Sequence, residues 1–161
     1  MRNLFPVLAI AAVLFAFPAC KGTATDSATA ADSIPACATG AARTIPATPD
    51  GTVHQLTDPD LYTPGARVEG VTLLYFNAVW SGPCRQLGPV FAQMAEQFKG
   101  RATFVSVDTD KYPGVMQAYG LGTELPVVLI LRPDGTAERF TGIAELLPAS
   151  RFESIIEKNI N

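Results

Sequence analysis

Histidine is almost missing from this chain: His54 is the only one in 161 residues, and the three cysteines, Cys20, Cys37 and Cys84, stand far apart. Zinc and other soft-metal sites draw on clustered cysteines and histidines, so neither a metal nor a cofactor is expected. Basic residues are also sparse. Twelve Lys and Arg against fifteen Asp and Glu leave a formal charge of −3 with no basic run, which argues against nucleic acid as a partner. Beyond the first twenty residues there is no long apolar run, and there is no internal repeat. What remains, 48% hydrophobic and only 17% charged residues, suffices for one domain with a real core plus extra segments.

The one apolar run, "LFPVLAIAAVLFAF" at 4–17, follows Arg2 and carries no charge. Its 14 residues are few for a bilayer span but suit the core of a signal peptide, and Pro6 and Pro18 argue against a buried core helix. Export is the expectation. The "FPAC" that follows resembles the lipobox at which bacterial lipoproteins are cleaved and acylated, although Phe17 and Pro18 depart from it. On that reading 1–19 is the signal peptide and Cys20 carries the lipid, placing a periplasm-facing lipoprotein in the bacterial cell envelope. Lys21, where enteric inner-membrane lipoproteins carry Asp, tips the expectation toward the outer membrane. The other reading is ordinary signal-peptidase cleavage further on, after "ATA" at Ala30. Residues 20–50 are rich in Ala, Thr, Ser, Asp and Pro, with Ile34 and Ile45 as the only large apolar side chains. Such a segment cannot offset its ordering entropy and reads as a tether.

From 51 to 161 the pattern is dense. "TVHQL" is a short strand candidate, followed from Asp58 to about Arg67 by a weak helical stretch that Pro64 and Gly65 interrupt. "VTLLYFNA", 71–78, is an apolar, β-branched and aromatic run that predicts a strand covered on both faces. After "VWSGPC", the apolar positions Leu87, Val90, Phe91, Met94, Ala95 and Phe98 predict an amphipathic helix, bent by Pro89 and stopped by Gly100. A strand over 102–108, a short helix in "PGVMQAYG" and a strand over 126–131 follow. The turn "PDG" then joins that strand to "TAERFTG" as a hairpin. The last helix is expected to start on a capping box, Ser150 with Glu153, and to bury Phe152, Ile155, Ile156 and Ile160. Alternation of strands and helices closing on a hairpin gives an α/β fold: a central mixed sheet with helices on both faces. Ligands on such sheets sit at the carboxyl ends of central strands, where the turn after Ala78 lies.

"LLYFNAVWSGPCRQLGPVFAQMA", "FVSVDTDKYPGVMQAYGL" and "LPVVLILRPDGT", together with "VHQLTDPDLY", resemble the thioredoxin family over 53–161. The resemblance implies the thioredoxin fold and a place in thiol-disulfide biology and cell redox homeostasis. It makes Trp80 the active-site tryptophan, Gly82 and Pro83 the middle of the turn, Cys84 the second, shielded cysteine and Pro126 a cis-proline beside the turn. Trp80, Gly82, Pro83 and Pro126 would form the peptide-binding groove. Three positions depart from the family. Ser81 stands where the nucleophilic cysteine is expected, Tyr75 replaces a buried Asp that assists proton transfer, and "GTELPV" is one residue longer before the proline, with Val127 in place of the common Thr.

Dithiol exchange starts when a low-pKa thiolate at a helix N-terminus attacks a disulfide, and it ends when the second cysteine resolves the product. A serine hydroxyl has no such nucleophilicity toward sulfur, so dithiol oxidoreductase activity is not expected. Nor is Ser81 read as a hydrolase nucleophile, since the resemblance places His54 away from the turn; a helix-capping serine is the expectation. For Cys84 two readings stay open: an inert, half-buried thiol, or a monothiol that forms a slow mixed disulfide or an oxidised sulfur species. A Cys37 to Cys84 disulfide is a further alternative, against Cys37 as an incidental or intermolecular thiol. The expected partners are envelope proteins or thiol-containing peptides, met by a monomer held at the membrane through its N-terminal lipid. The alternative function is a non-catalytic peptide-binding module that uses the same groove.

Overall fold

A computed structural model describes residues 44–161. The signal peptide, Cys20 and Cys37 lie outside the described residues. Eleven elements follow one another: β1 (Thr44–Ile45), β2 (Val53–Gln55), β3 (Arg67–Val68), β4 (Thr72–Asn77), α1 (Gly82–Gln97), β5 (Thr103–Asp108), α2 (Pro113–Ala118), β6 (Val127–Leu131), β7 (Ala137–Thr141), α3 (Ile143–Leu146) and α4 (Ala149–Ile160).

Five strands make the central sheet in the order β2-β5-β4-β6-β7. β2, β5 and β4 run parallel, while β6 and β7 are antiparallel to their neighbours, so the mixed sheet expected from the sequence is present. β4 is central, and all of its residues but Asn77 are buried, which explains a run of apolar side chains without alternation. Leu73 and Tyr75 face one side with Leu87, Phe91 and Met94 of α1 and Phe152 and Ile156 of α4. Leu74 and Phe76 face the other with Val105, Val107, Val115 and Leu129. Phe91 centres the first layer, 4.8 Å from Tyr75, 5.1 Å from Phe104 and 6.1 Å from Phe152 between ring centroids.

The structure corrects three sequence expectations. Residues 58–66 form turns rather than a helix: the Asp58 side chain accepts from the Asp60 N–H, and Gly65 takes φ +85°. α4 begins at Ala149 behind Pro148, one residue before the proposed cap, and Glu153 reaches the Gln97 side chain instead of closing a capping box. The short helix α3, with Leu146 fully buried, was not anticipated.

The folded unit also starts earlier than the expected boundary at Gly51. β1 pairs with β3, Ile45 is only 3% exposed, the Thr48 N–H donates to Thr103 Oγ1 at 2.8 Å, and the Pro49 carbonyl accepts from Gly100 at 2.7 Å. Residues 44–50, read as the end of the tether, therefore form a strap across the amino ends of β4 and β5.

Candidate functional site

β4 delivers the chain into the turn Ala78–Val79–Trp80–Ser81, and α1 starts at once. Ser81 takes the N-cap, with extended backbone (φ −78°, ψ 116°), and its Oγ accepts from the Cys84 N–H at 3.5 Å; Pro83 stands in the first helical turn, where a missing N–H costs nothing. Both Ser81 and Cys84 are shut off from solvent, 5% and 4% exposed. Val79 and Trp80 are the reverse, 77% and 66% exposed, the two large apolar side chains left open among the described residues.

Exposure does not leave that surface loose. The Trp80 indole N–H donates to both carboxylate oxygens of Asp110 at 3.1 and 3.2 Å, and the Arg85 guanidinium donates to the carbonyls of Val79 and Trp80 at 3.2 and 3.4 Å. Asp110 and Arg85 escaped the sequence reading. Asp110 lies thirty residues from Trp80, so only the fold makes them neighbours. Arg85 is one charge on an exposed helical face.

Tyr75 takes the place expected for a carboxylate. Its Oη donates to the Cys84 carbonyl at 2.8 Å, and burial, with the neighbouring Cys84 second, pushes its pKa well above that of free tyrosine. The phenol stays protonated at neutral pH and is committed to backbone, so it offers no base to a thiol. At the end of β4, Asn77 Nδ2 donates to Ser106 Oγ at 2.8 Å, and both residues line a cavity of about 310 Å³ that Cys84 and Tyr75 also border.

Pro126 follows a cis peptide bond from Leu125, as expected; a second cis bond, Leu147–Pro148, was not anticipated. Val127 pairs with Phe76, so Pro126 is one residue beyond, level with the end of β4 and at the same pole as the turn. Its ring is buried. His54 sits on β2, two strands from β4, and pairs with Asp50 at 3.1 Å. Ser81 has no base in this arrangement. Among the described residues no three His, Cys, Asp or Glu side chains form a metal-holding group, and no helix is long and apolar enough to cross a membrane.

The thioredoxin family profile matches residues 57–158. The chain belongs to the thioredoxin family. It is 28% identical over 110 residues to the thioredoxin of Chlorobaculum thiosulfatiphilum, a match covering 68% of this chain and 98% of that protein. To the chloroplastic M-type thioredoxin of Zea mays it is 35% identical over 92 residues, covering 57% of this chain but only 53% of the relative. Among solved structures, chloroplastic thioredoxin z superposes with a TM-score of 0.57 at 28% identity, covering 66% of this chain and 93% of that one. A thioredoxin domain and the family's thiol-disulfide, redox setting are thus the frame in which Ser81 and Cys84 are read.

Proposed function

We infer that this is a thioredoxin-family protein of the bacterial envelope that has lost the dithiol cycle, holding thiol proteins in its groove with Cys84 as a shielded monothiol. The observation that carries this reading is the occupant of the α1 N-terminus. The position where helix dipole and free N–H groups would activate a thiolate is filled by a serine that caps the helix, and the one thiol nearby is buried one turn further in. Tyr75 supports it, because a phenol bonded to the Cys84 carbonyl replaces the proton acceptor that a resolving thiol would use. Lipidation at Cys20, a membrane tether and an outer-membrane location complete the proposal from the sequence side, as does the Cys37 alternative for pairing with Cys84.

The exposure of Val79 and Trp80, set against the burial of Cys84, favours a second reading: a peptide-binding module with no chemistry at all. One set of variants tests both. The wild-type chain should fail to reduce insulin disulfides, and Ser81→Cys should gain that activity; turnover by the wild type would overturn the loss of the cycle. Partner capture that survives Cys84→Ala and weakens in Trp80→Ala selects the binding module. Capture lost in Cys84→Ala selects the monothiol.

A further inference from the structure

The two edges of the central sheet are treated differently. At β7 the outward N–H of Thr141 donates to Glu145 at 2.8 Å, and Glu138 and Arg139 put charge along the strand, so that edge is closed to pairing. At β2 the ladder to β5 is continued by the Leu56 N–H, which donates to the Ser106 carbonyl at 2.9 Å. Backbone groups alternate sides along a strand, so His54 faces β5 while Val53 and Gln55 turn their N–H and C=O groups outward. Among the described residues no strand lies beyond β2, and Val53–Gln55, guarded only by its three-residue length, contains no proline, lysine, arginine or carboxylate.

A cavity lies against each face of this edge, and Gln55 borders both. On the α1 side lies the 310 Å³ cavity already described beside Cys84, Tyr75, Asn77 and Ser106, whose apolar wall is Val53, Ala78, Val79, Phe91 and Ala92, with Arg85 at the helix. On the opposite side, about 300 Å³ is bordered by Thr48, His54, Thr57, Asp58 and Tyr62, with the Asp58 carboxylate as its charge. Asp50 adds a second carboxylate at the His54 ring, kept ionised because the Thr52 N–H and hydroxyl hold its pKa below the usual range. A strand laid along β2 would send alternate side chains into these two cavities.

We propose that the β2 edge is a docking site, adjoining the Cys84 cavity but not using the Trp80 indole, for an extended peptide whose side chains alternate apolar toward α1 and basic toward Asp58. Backbone bonds from Val53 and Gln55 hold the peptide, and the two unlike cavities set its register and pattern.

The test titrates the full chain with a peptide of alternating valine and lysine. Binding should slow amide exchange at Val53 and Gln55. Gln55→Pro, which removes one outward donor and leaves the β5 ladder intact, should weaken binding about tenfold. Asp58→Asn should weaken it severalfold, and Trp80→Ala should leave it unchanged, which separates docking at this edge from use of the indole. Equal binding of a valine–glutamate peptide, or unprotected Val53 and Gln55 amides in the complex, would overturn the proposal. So would a concentration-dependent dimer of the peptide-free protein that Gln55→Pro dissolves, since the edge would then belong to a second copy. The wild-type exchange measurement decides the matter even if the proline variant fails to fold.

Discussion

Tyr119 is a tyrosine with no use for its hydroxyl. Its ring packs edge-on against Phe76 at 6.1 Å, but its Oη is buried and has no hydrogen-bond partner among the described residues. Removing a buried, unpaired hydroxyl relieves a desolvation cost, so Tyr119→Phe should raise stability by about 1 kcal/mol in a denaturant titration. Burial, with the nearby Tyr62 second, pushes the Tyr119 pKa from 10.0 up to about 12, and the Tyr75 pKa is raised as well. With these pKa values raised, the folded state keeps protons that the unfolded chain gives up. Below pH 10 the two states therefore hold equal numbers; between pH 10 and about 12 stability falls as pH rises. Tyr119→Phe should flatten that alkaline fall, and identical alkaline slopes for variant and wild type would show that Tyr119 does not carry it. None of this was legible in the sequence, where Tyr119 is one aromatic residue before Gly120. The partners of a buried hydroxyl are set by the fold.

Elements tell a more mixed story. β4, α1, β5 and β6 were legible because their apolar spacing is long and unbroken, β7 because the PDG turn makes it the second arm of a hairpin, and Ser81 as a cap because it stands directly before Gly-Pro at a helix start. Residues 58–66 misled because Asp58-Pro59 reads as a helix start and Leu61 and Tyr62 as part of a helical face, while Pro64 and Gly65 prevent the helix from continuing. The capping box misled for a different reason: Ser150 and Glu153 have the right spacing, but Pro148 starts α4 earlier and Gln97 engages Glu153. The exposed Trp80 face depends on a join that neither element encodes alone, the bond from Trp80 on the β4–α1 turn to Asp110 on the β5–α2 turn. Because Trp80 is the only tryptophan, its fluorescence reports that join without background. Asp110→Ala should lower the Trp80 anisotropy and weaken partner capture a few-fold, while the fold, read by circular dichroism, stays intact. An unchanged anisotropy would mean that packing, not Asp110, positions the indole.

At the scale of the whole molecule, the sequence placed the boundary between tether and domain where composition changes, at Gly51, and the structure moves it. Composition cannot see a single buried side chain in a polar stretch, and Ile45 is such a side chain. It sits in the core with Leu56 and Val68 on the face away from α1, while Thr48 and Pro49 tie the strap to β5 and to the end of α1. Burying an isoleucine is worth about 1.5–3 kcal/mol, and each of the two bonds adds about 1 kcal/mol. Ordering these residues costs about 1–2 kcal/mol each, so the net effect is the small surplus that these contacts and the β1–β3 pairing leave over that cost. A chain beginning at Gly51 should therefore be less stable than one beginning at Thr44 by about 1–3 kcal/mol, a fall in melting temperature of roughly 5–15 °C for a domain of this size. Ile45→Ala in the longer chain should reproduce most of the loss, because the strap would then be held by hydrogen bonds alone. Equal melting temperatures for the two chains would return residues 44–50 to the tether and leave β2 as the true start of the domain.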